Sequence, residues 1–149
     1  MTYCIDDTIV AIASAPGGAV RGIVRISGPA TLPCLLKCFR SLQPPELTAI
    51  RRPTVVRGEL RIAEPIGLVP VDLYWWPTRR SYTRQVAAEL HTVGSPPLLD
   101  AVLQRLCECG ARLARPGEFT LRAFLAGRLD LTQAEAVLGV VDAHDTRSL

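Results

Sequence analysis

The chain has 149 residues, 48% of them hydrophobic, and a formal net charge of +3. That length holds one domain with its own core and is short for two. The apolar fraction excludes a disordered chain, and the mild charge does not by itself argue for nucleic acid. The cations are lopsided: Lys37 is the only lysine among 17 basic residues, and arginine is the side chain suited to forked contacts with carboxylates and phosphates. The five cysteines, Cys4, Cys34, Cys38, Cys107 and Cys109, contain no C-x-x-C pair. Their odd number and spacing argue against a zinc site and against a disulfide framework. Cys34 and Cys38, one helical turn apart, read as buried free thiols. No apolar run approaches the ~18 residues of a membrane span, and the N-terminus, MTYCIDDTIV, is acidic where a signal peptide is basic. A reduced, cytoplasmic compartment is the expectation.

In chain order, Thr8–Ala13 (TIVAIA) reads as a strand, 14–18 (SAPGG) as a turn, and Arg21–Ser27 (RGIVRIS) as a second strand with Ile23, Arg25 and Ser27 on one face and Val24 and Ile26 on the other. Gly28-Pro29 then starts a helix running to about Arg40, with Leu32, Leu35, Leu36 and Phe39 on one side, followed by a loop over 43–53 that exposes Arg51 and Arg52. Thr54–Ile62 and Gly67–Trp76 form a hairpin. Trp75 and Trp76 are adjacent, so they point to opposite faces; one caps the core and the other suits either a subunit contact or plain solvent. Val86–His91 is a short strand ended by 94–97 (GSPP), which opens a helix over Leu98–Cys109 with Ser95 as N-cap and Pro96 at the first helical position. Ala111–Ala114 is a last short strand. Hairpins and helix-separated strands together give an α+β class with a mixed sheet and flanking helices, in a single domain over 1–149.

Residues 115–137, RPGEFTLRAFLAGRLDLTQAEAV, make two short helices joined by Arg128-Leu129-Asp130. The first runs from about Glu118 to Ala126, with Gly127 as its left-handed terminator. The second has Thr132 as N-cap and Glu135 closing a capping box, with Leu131, Ala134, Val137, Leu138 and Val141 on one face. A bridge pinned at both ends with an outward Arg128 suits a binding site, and suits a plain helix corner as well.

Several chemistries fall away. A P-loop needs a lysine before Ser or Thr, and Lys37 precedes Cys38. His91 and His144 have no third ligand at metal spacing, so no metal is expected; His91 fits a pocket wall or a hydrogen-bonded structural role. No nucleophile elbow supports a triad of Ser27, His91 and Asp130. Glu89, in AAELH, and Arg25, in GIVRIS, are charges on apolar strands. Each needs a partner, either a structural ion pair or a ligand.

DTIVAIASAPGG…GIVRISGP, then P-x-R-R-S-Y-T, ELH and ARLARPGEFTLRAFLAGRLDLTQAEAV together resemble the N-terminal domain of the bacterial tRNA-modification GTPase family MnmE (TrmE), from about Asp7 to Ala143. The resemblance implies a fold related to the tetrahydrofolate-binding domain of the glycine-cleavage aminomethyltransferase. It implies binding of a reduced folate of the 5-formyltetrahydrofolate type, a homodimer with the folate pockets near its interface, and, in the longer family proteins, a helical domain, a GTPase domain, an MnmG-like flavoprotein partner and a tRNA substrate. Carried over residue by residue, it implies folate contacts from Arg25, Glu89 and Arg128, with no catalytic residue. Glu89 would accept the pterin amide N–H and amino group, and the arginines would take ring oxygens or the glutamate tail. Arg84-Gln85-Val86 stands where the family has Gly-Glu-Asp, and 91–95 (HTVGS) where it has His-Cys-His-Gly-Gly. This chain, with no GTPase domain, is expected not to hydrolyse GTP. Two other functions compete: a dimerisation module without folate, and a small nucleic-acid binder using Arg51, Arg52, Arg79, Arg80 and Arg84. The second lacks the interleaved aromatics of single-strand binders, since the chain is 5% aromatic.

Overall fold

A computed structural model describes residues 5–145, with side chains described to residue 140. Cys4 and the side chains of Val141 and His144 lie outside the described residues. Strands β1 (Ile9–Ile12), β2 (Ala19–Ser27), β3 (Phe39–Ser41), β4 (Thr54–Arg61), β5 (Leu68–Trp76), β6 (Ala87–Gly94) and β7 (Arg112–Leu113) form one sheet in the order β3-β4-β5-β6-β2-β1-β7. Every pairing is antiparallel except β1 with β7, so the sheet is mixed and the class is α+β. The helices are α1 (Thr31–Cys38), α2 (Pro96–Glu108), α3 (Glu118–Leu125) and α4 (Leu131–Asp145).

Period-two alternation decides which sheet face is dry. Val24, Ile26, Leu60, Val71, Leu73, Trp75, Ala88 and Leu90 point to one side and are buried there, against Leu99, Val102 and Leu106 of α2 and Cys34 and Leu35 of α1. Ile23, Arg25, Asp72, Tyr74, Glu89 and His91 alternate with them and are only partly buried. The second face is therefore left polar and accessible by the same pattern that builds the core. Trp75 is 2% exposed within the core, while Trp76 is half-buried on the other side.

The structure corrects several boundaries. The first helix stops at Cys38 rather than Arg40, and its buried face is Thr31, Cys34, Leu35 and Cys38, with Leu36 54% exposed. Phe39–Ser41 becomes an edge strand on β4 because Phe39 pairs with Leu60 and lays its ring over Gly58. A Cβ at Gly58 would stand 2.3 Å from that ring. The 43–53 loop holds a single 3₁₀ turn, Leu47–Ala49, which sends Leu47 and Ile50 into the core. β6 extends beyond His91 and ends at Gly94, where β2 passes so close that a Cβ would lie 2.4 Å from the Ala19 carbonyl oxygen. Ser95 is the N-cap position of α2 and Pro96 its first residue, but the Ser95 side chain makes no capping hydrogen bond.

Cys34, Cys38 and Cys109 are buried free thiols. Burial pushes the Cys38 thiol up to about 12 and raises Cys34 as well. Such thiols are protonated and unreactive at neutral pH.

Candidate functional site

Antiparallel register sets Arg25 of β2 opposite Glu89 of β6, and Tyr74 of β5 opposite Glu89 on its other side. Arg25 donates to Glu89 Oε1 from Nε at 3.0 Å and from Nη2 at 2.9 Å. His91 Nε2 lies 3.0 Å from Glu89 Oε2. The imidazole stacks on Tyr74 with ring centroids 4.0 Å apart. The Arg25 guanidinium stands over the Phe119 ring of α3, 5.6 Å from its centroid, within cation–π range. The two half-buried charges thus meet each other, and His91 is held by its contact with Glu89 and its stack on Tyr74. Glu89 Oε1 already accepts twice from Arg25, so the accepting capacity that the carboxylate keeps lies on Oε2.

Arg25 and Glu89 line a cavity of about 80 Å³ with Ser27, Trp76, Tyr82 and Thr83. Trp76, Ser81, Tyr82 and Thr83 form its shared wall with a cleft of about 820 Å³, whose rim carries Arg79, Arg80, Arg84 and Arg128. Arg128 therefore does not join the other two predicted residues directly; it stands on the adjoining cleft, across the Trp76–Tyr82 wall.

The bridge that carries Arg128 is pinned as expected, by different residues at one end. Gly127 is left-handed (φ 73°), Gly127 N–H donates to the Phe124 carbonyl and Arg128 N–H to the Ala123 carbonyl, both at 2.9 Å, which closes α3 in a Schellman motif. At α4 the capping pair is Asp130 and Gln133, not Thr132 and Glu135. Gln133 N–H donates to Asp130 Oδ1 at 2.7 Å, and Asp130 N–H to Gln133 Oε1 at 3.0 Å. A carboxylate two residues earlier, at the end of the bridge, starts the helix two residues sooner. Of the apolar face expected on α4, Ala134 is buried, while Leu131 and Val137 are 58% and 38% exposed.

Periodicity did not reveal a second arginine cluster behind the cleft. Arg112 of β7 forks onto Glu118 of α3, Nη1 to Oε1 at 2.9 Å and Nη2 to Oε2 at 2.6 Å, and also pairs with Asp7. Arg122 of α3 pairs with Asp7, donates to the Asp7 carbonyl at 2.7 Å and to Gln85 Oε1 at 3.2 Å. The Glu118 and Arg122 side chains are each 1% exposed. Hydrogen bonding to Arg112 and then to Arg122, working against burial, holds the Asp7 carboxyl below its usual value, and Glu118 with Asp7 raises Arg112. The available signal was the four-residue spacing of Glu118 and Arg122 on one helix. Gln85 links this network to the cleft loop, where Gln85 N–H donates to Ser81 Oγ at 3.2 Å and Thr83 Oγ1 lies 2.6 Å from Ser27 Oγ. Among the described residues no group of His, Cys, Asp and Glu could hold a metal ion, and no helix is long and apolar enough to cross a membrane.

This geometry defines an α+β domain: a mixed sheet with one dry face, a charged pocket on the other, and an arginine-rimmed cleft beside it. The family model for the GTP-binding protein TrmE N-terminus matches residues 8–128, and the chain belongs to that family. It is similar to proteins named tRNA modification GTPase MnmE: 52% identical over 149 residues to that of Rhodopirellula baltica (100% of this chain, 32% of the relative) and 40% over 148 residues to that of Moorella thermoacetica (97% and 32%). It is 44% identical over 143 residues to that of Marinobacter nauticus (95% and 30%). The chain spans about a third of the length of these curated relatives.

Proposed function

We propose that this domain binds a reduced folate of the 5-formyltetrahydrofolate type and pairs with a second copy of itself, as the N-terminal module of a cytoplasmic tRNA-modification GTPase. The observation that carries the reading is the Arg25–Glu89 pair, half-buried beside Trp76 and Tyr82 and opening onto the cleft that Arg128 rims. A pterin presents an amide N–H and an amino group on one edge, which suits a carboxylate whose Oε2 keeps accepting capacity. Trp76 and Tyr82 offer apolar surface for the ring, and Arg128 a guanidinium for the carboxylates at the other end. Arg25 keeps Glu89 oriented, so the acceptor is preorganised rather than ordered on binding.

Glu89→Gln removes charge while keeping size. It is expected to weaken folate binding by about 1.5–3 kcal/mol, the range for a hydrogen bond to a charged group. Calorimetry on both proteins checks this, and equal affinities would remove Glu89 from the site.

The dimer is supported by family membership and by apolar residues exposed on the sheet face opposite α1 and α2, where Val55 and Val93 are 53% and 60% exposed beside Tyr74 and His91. Sedimentation equilibrium at micromolar concentration is expected to give twice the 16.2 kDa chain mass; a clean monomer would contradict it. The names of the relatives support tRNA as the substrate of the longer protein, with an MnmG-like flavoprotein as its partner.

A further inference from the structure

The cleft is far larger than the pocket beside it, about 820 Å³ against about 80 Å³, and its charge is one-sided. Among the described residues, Arg79, Arg80, Arg84 and Arg128 make no ion pair, although every one lines the cleft. Arg21, Arg25, Arg40, Arg105, Arg112 and Arg122 face carboxylates, while Arg51, Arg52, Arg57, Arg61 and Arg115 are unpaired among the described residues but do not line the cleft; what sets the rim apart is four unpaired guanidiniums around one cavity. The rim is also built rather than loose. Arg84 is the only non-glycine with positive φ (55°) among the described residues, a conformation held because Arg84 N–H donates to the Ser81 carbonyl at 3.2 Å while Gln85 is tied to Ser81 and Arg122. A strained, over-determined backbone at a cleft rim marks a place where side-chain aim matters. Arg128 is aimed by the Schellman and capping hydrogen bonds of its bridge.

We propose that this rim is a subsite for a polycarboxylate extension of the ligand: the γ-linked oligoglutamate tail of a folate polyglutamate, with Arg79, Arg80, Arg84 and Arg128 as its contacts. The inference rests on the folate reading above. A ring held by Arg25 and Glu89 sends its distal end past the Trp76–Tyr82 wall into the cleft, and each added γ-glutamyl unit brings one more carboxylate to a set of guanidiniums that lack them. The forked guanidinium matches a carboxylate in shape as well as charge. A nucleic-acid strand would meet the same charges. It is the weaker fit because, among the described residues, the aromatics of the cleft are Trp76 and Tyr82, which stand at its wall against the folate pocket instead of spaced along a groove for stacking.

The test compares 5-formyltetrahydrofolate with one and with five glutamates, by calorimetry at two salt concentrations, on wild type, Arg79→Gln/Arg80→Gln and Glu89→Gln. In wild type the pentaglutamate is expected to bind roughly tenfold tighter, as several exposed pairs of modest individual strength allow, with the advantage shrinking at higher salt. The double variant is expected to lose most of that ratio, and Glu89→Gln to weaken both ligands while keeping it. Equal affinities for the two ligands in wild type would overturn the tail subsite and leave the folate reading standing. Binding of neither would overturn both. A short oligoribonucleotide that binds through Arg79 and Arg80 while the pentaglutamate gains nothing would assign the rim to RNA instead.

Discussion

Two arginine clusters meet near α3, and they are opposites. In one, Arg112 and Arg122 are matched by Asp7 and Glu118, with Glu118 and Arg122 almost wholly buried. In the other, Arg79, Arg80, Arg84 and Arg128 ring an open cleft with no carboxylate in its lining among the described residues. The first cluster is closed: every charge has its counterion, so its contribution is to shape, locking the segment before β1 onto α3 and, through Gln85, holding the cleft loop. The second is open, so its charge remains available to something outside the chain. The same residue type is structural where its partner is in the sequence, and where the partner is missing its charge stays free for the ligand proposed above.

The largest effect is expected on the closed side. Glu118→Ala leaves Arg112 and Arg122 short of their shared carboxylate, and removing one member of a buried ion pair typically destabilises by about 3–5 kcal/mol. Urea unfolding monitored by circular dichroism measures it. A loss below about 1 kcal/mol would show that the network is not the lock described here. On the open side, by contrast, neutralising Arg79 and Arg80 together is expected to leave the unfolding midpoint within experimental error, because exposed unpaired charges contribute little to stability.

Arg84→Gly sharpens the contrast in the other direction. A left-handed non-glycine residue costs of order 1 kcal/mol or more, part of which is offset by the greater freedom of glycine in the unfolded chain. The variant is expected to gain a few tenths of a kcal/mol up to about 1 kcal/mol. Destabilisation in the same urea assay would mean the Arg84 side chain stabilises the loop itself.

The smallest effect is a pH dependence. The Asp7 carboxyl is depressed below 3.8 in the folded chain, with Arg112 the first cause. Its stabilising contribution is therefore fully present above the unfolded value and is lost as pH falls through the lower folded value. Asp7→Asn is expected to flatten the acid limb of stability below about pH 4, while parallel curves for wild type and variant would detach Asp7 from the network. The side chain is 37% exposed, so solvent screening keeps this change modest.

Much of the sheet was legible because alternation is a local property: the face shared by Ile23, Arg25 and Ser27 follows from residue order alone, and the adjacent tryptophans had to diverge. Edge strand β3 was not legible, because Phe39 reads as the continuation of a helical stripe until Gly58, far along the chain, leaves room for its ring. The capping pair was misplaced because two candidate pairs lie two residues apart, Thr132 with Glu135 and Asp130 with Gln133. Only the actual start of the helix decides between them. Arg25 and Glu89 could be singled out as charges needing partners, but that each was the other's partner depends on the β2–β6 register. Asp7, Arg112, Glu118 and Arg122 went unnoticed because their pairings join segments up to 115 residues apart. Arg128 on the cleft rim came from the resemblance, since the local chemistry of its bridge favoured a plain helix corner over a binding site.

The central claim is that a folate enters between Trp76 and Tyr82 and leaves the core undisturbed. The chain's two tryptophans are neighbours in sequence, yet one is sealed in the core and the other lines the cleft. An amide NMR titration with 5-formyltetrahydrofolate therefore carries its own control. The account predicts that the Trp76 indole N–H and the backbone amides of Arg25, Glu89 and Arg128 shift saturably, while the Trp75 indole N–H stays in place. Stationary peaks at millimolar folate, or shifts confined to residues away from this wall, would contradict it.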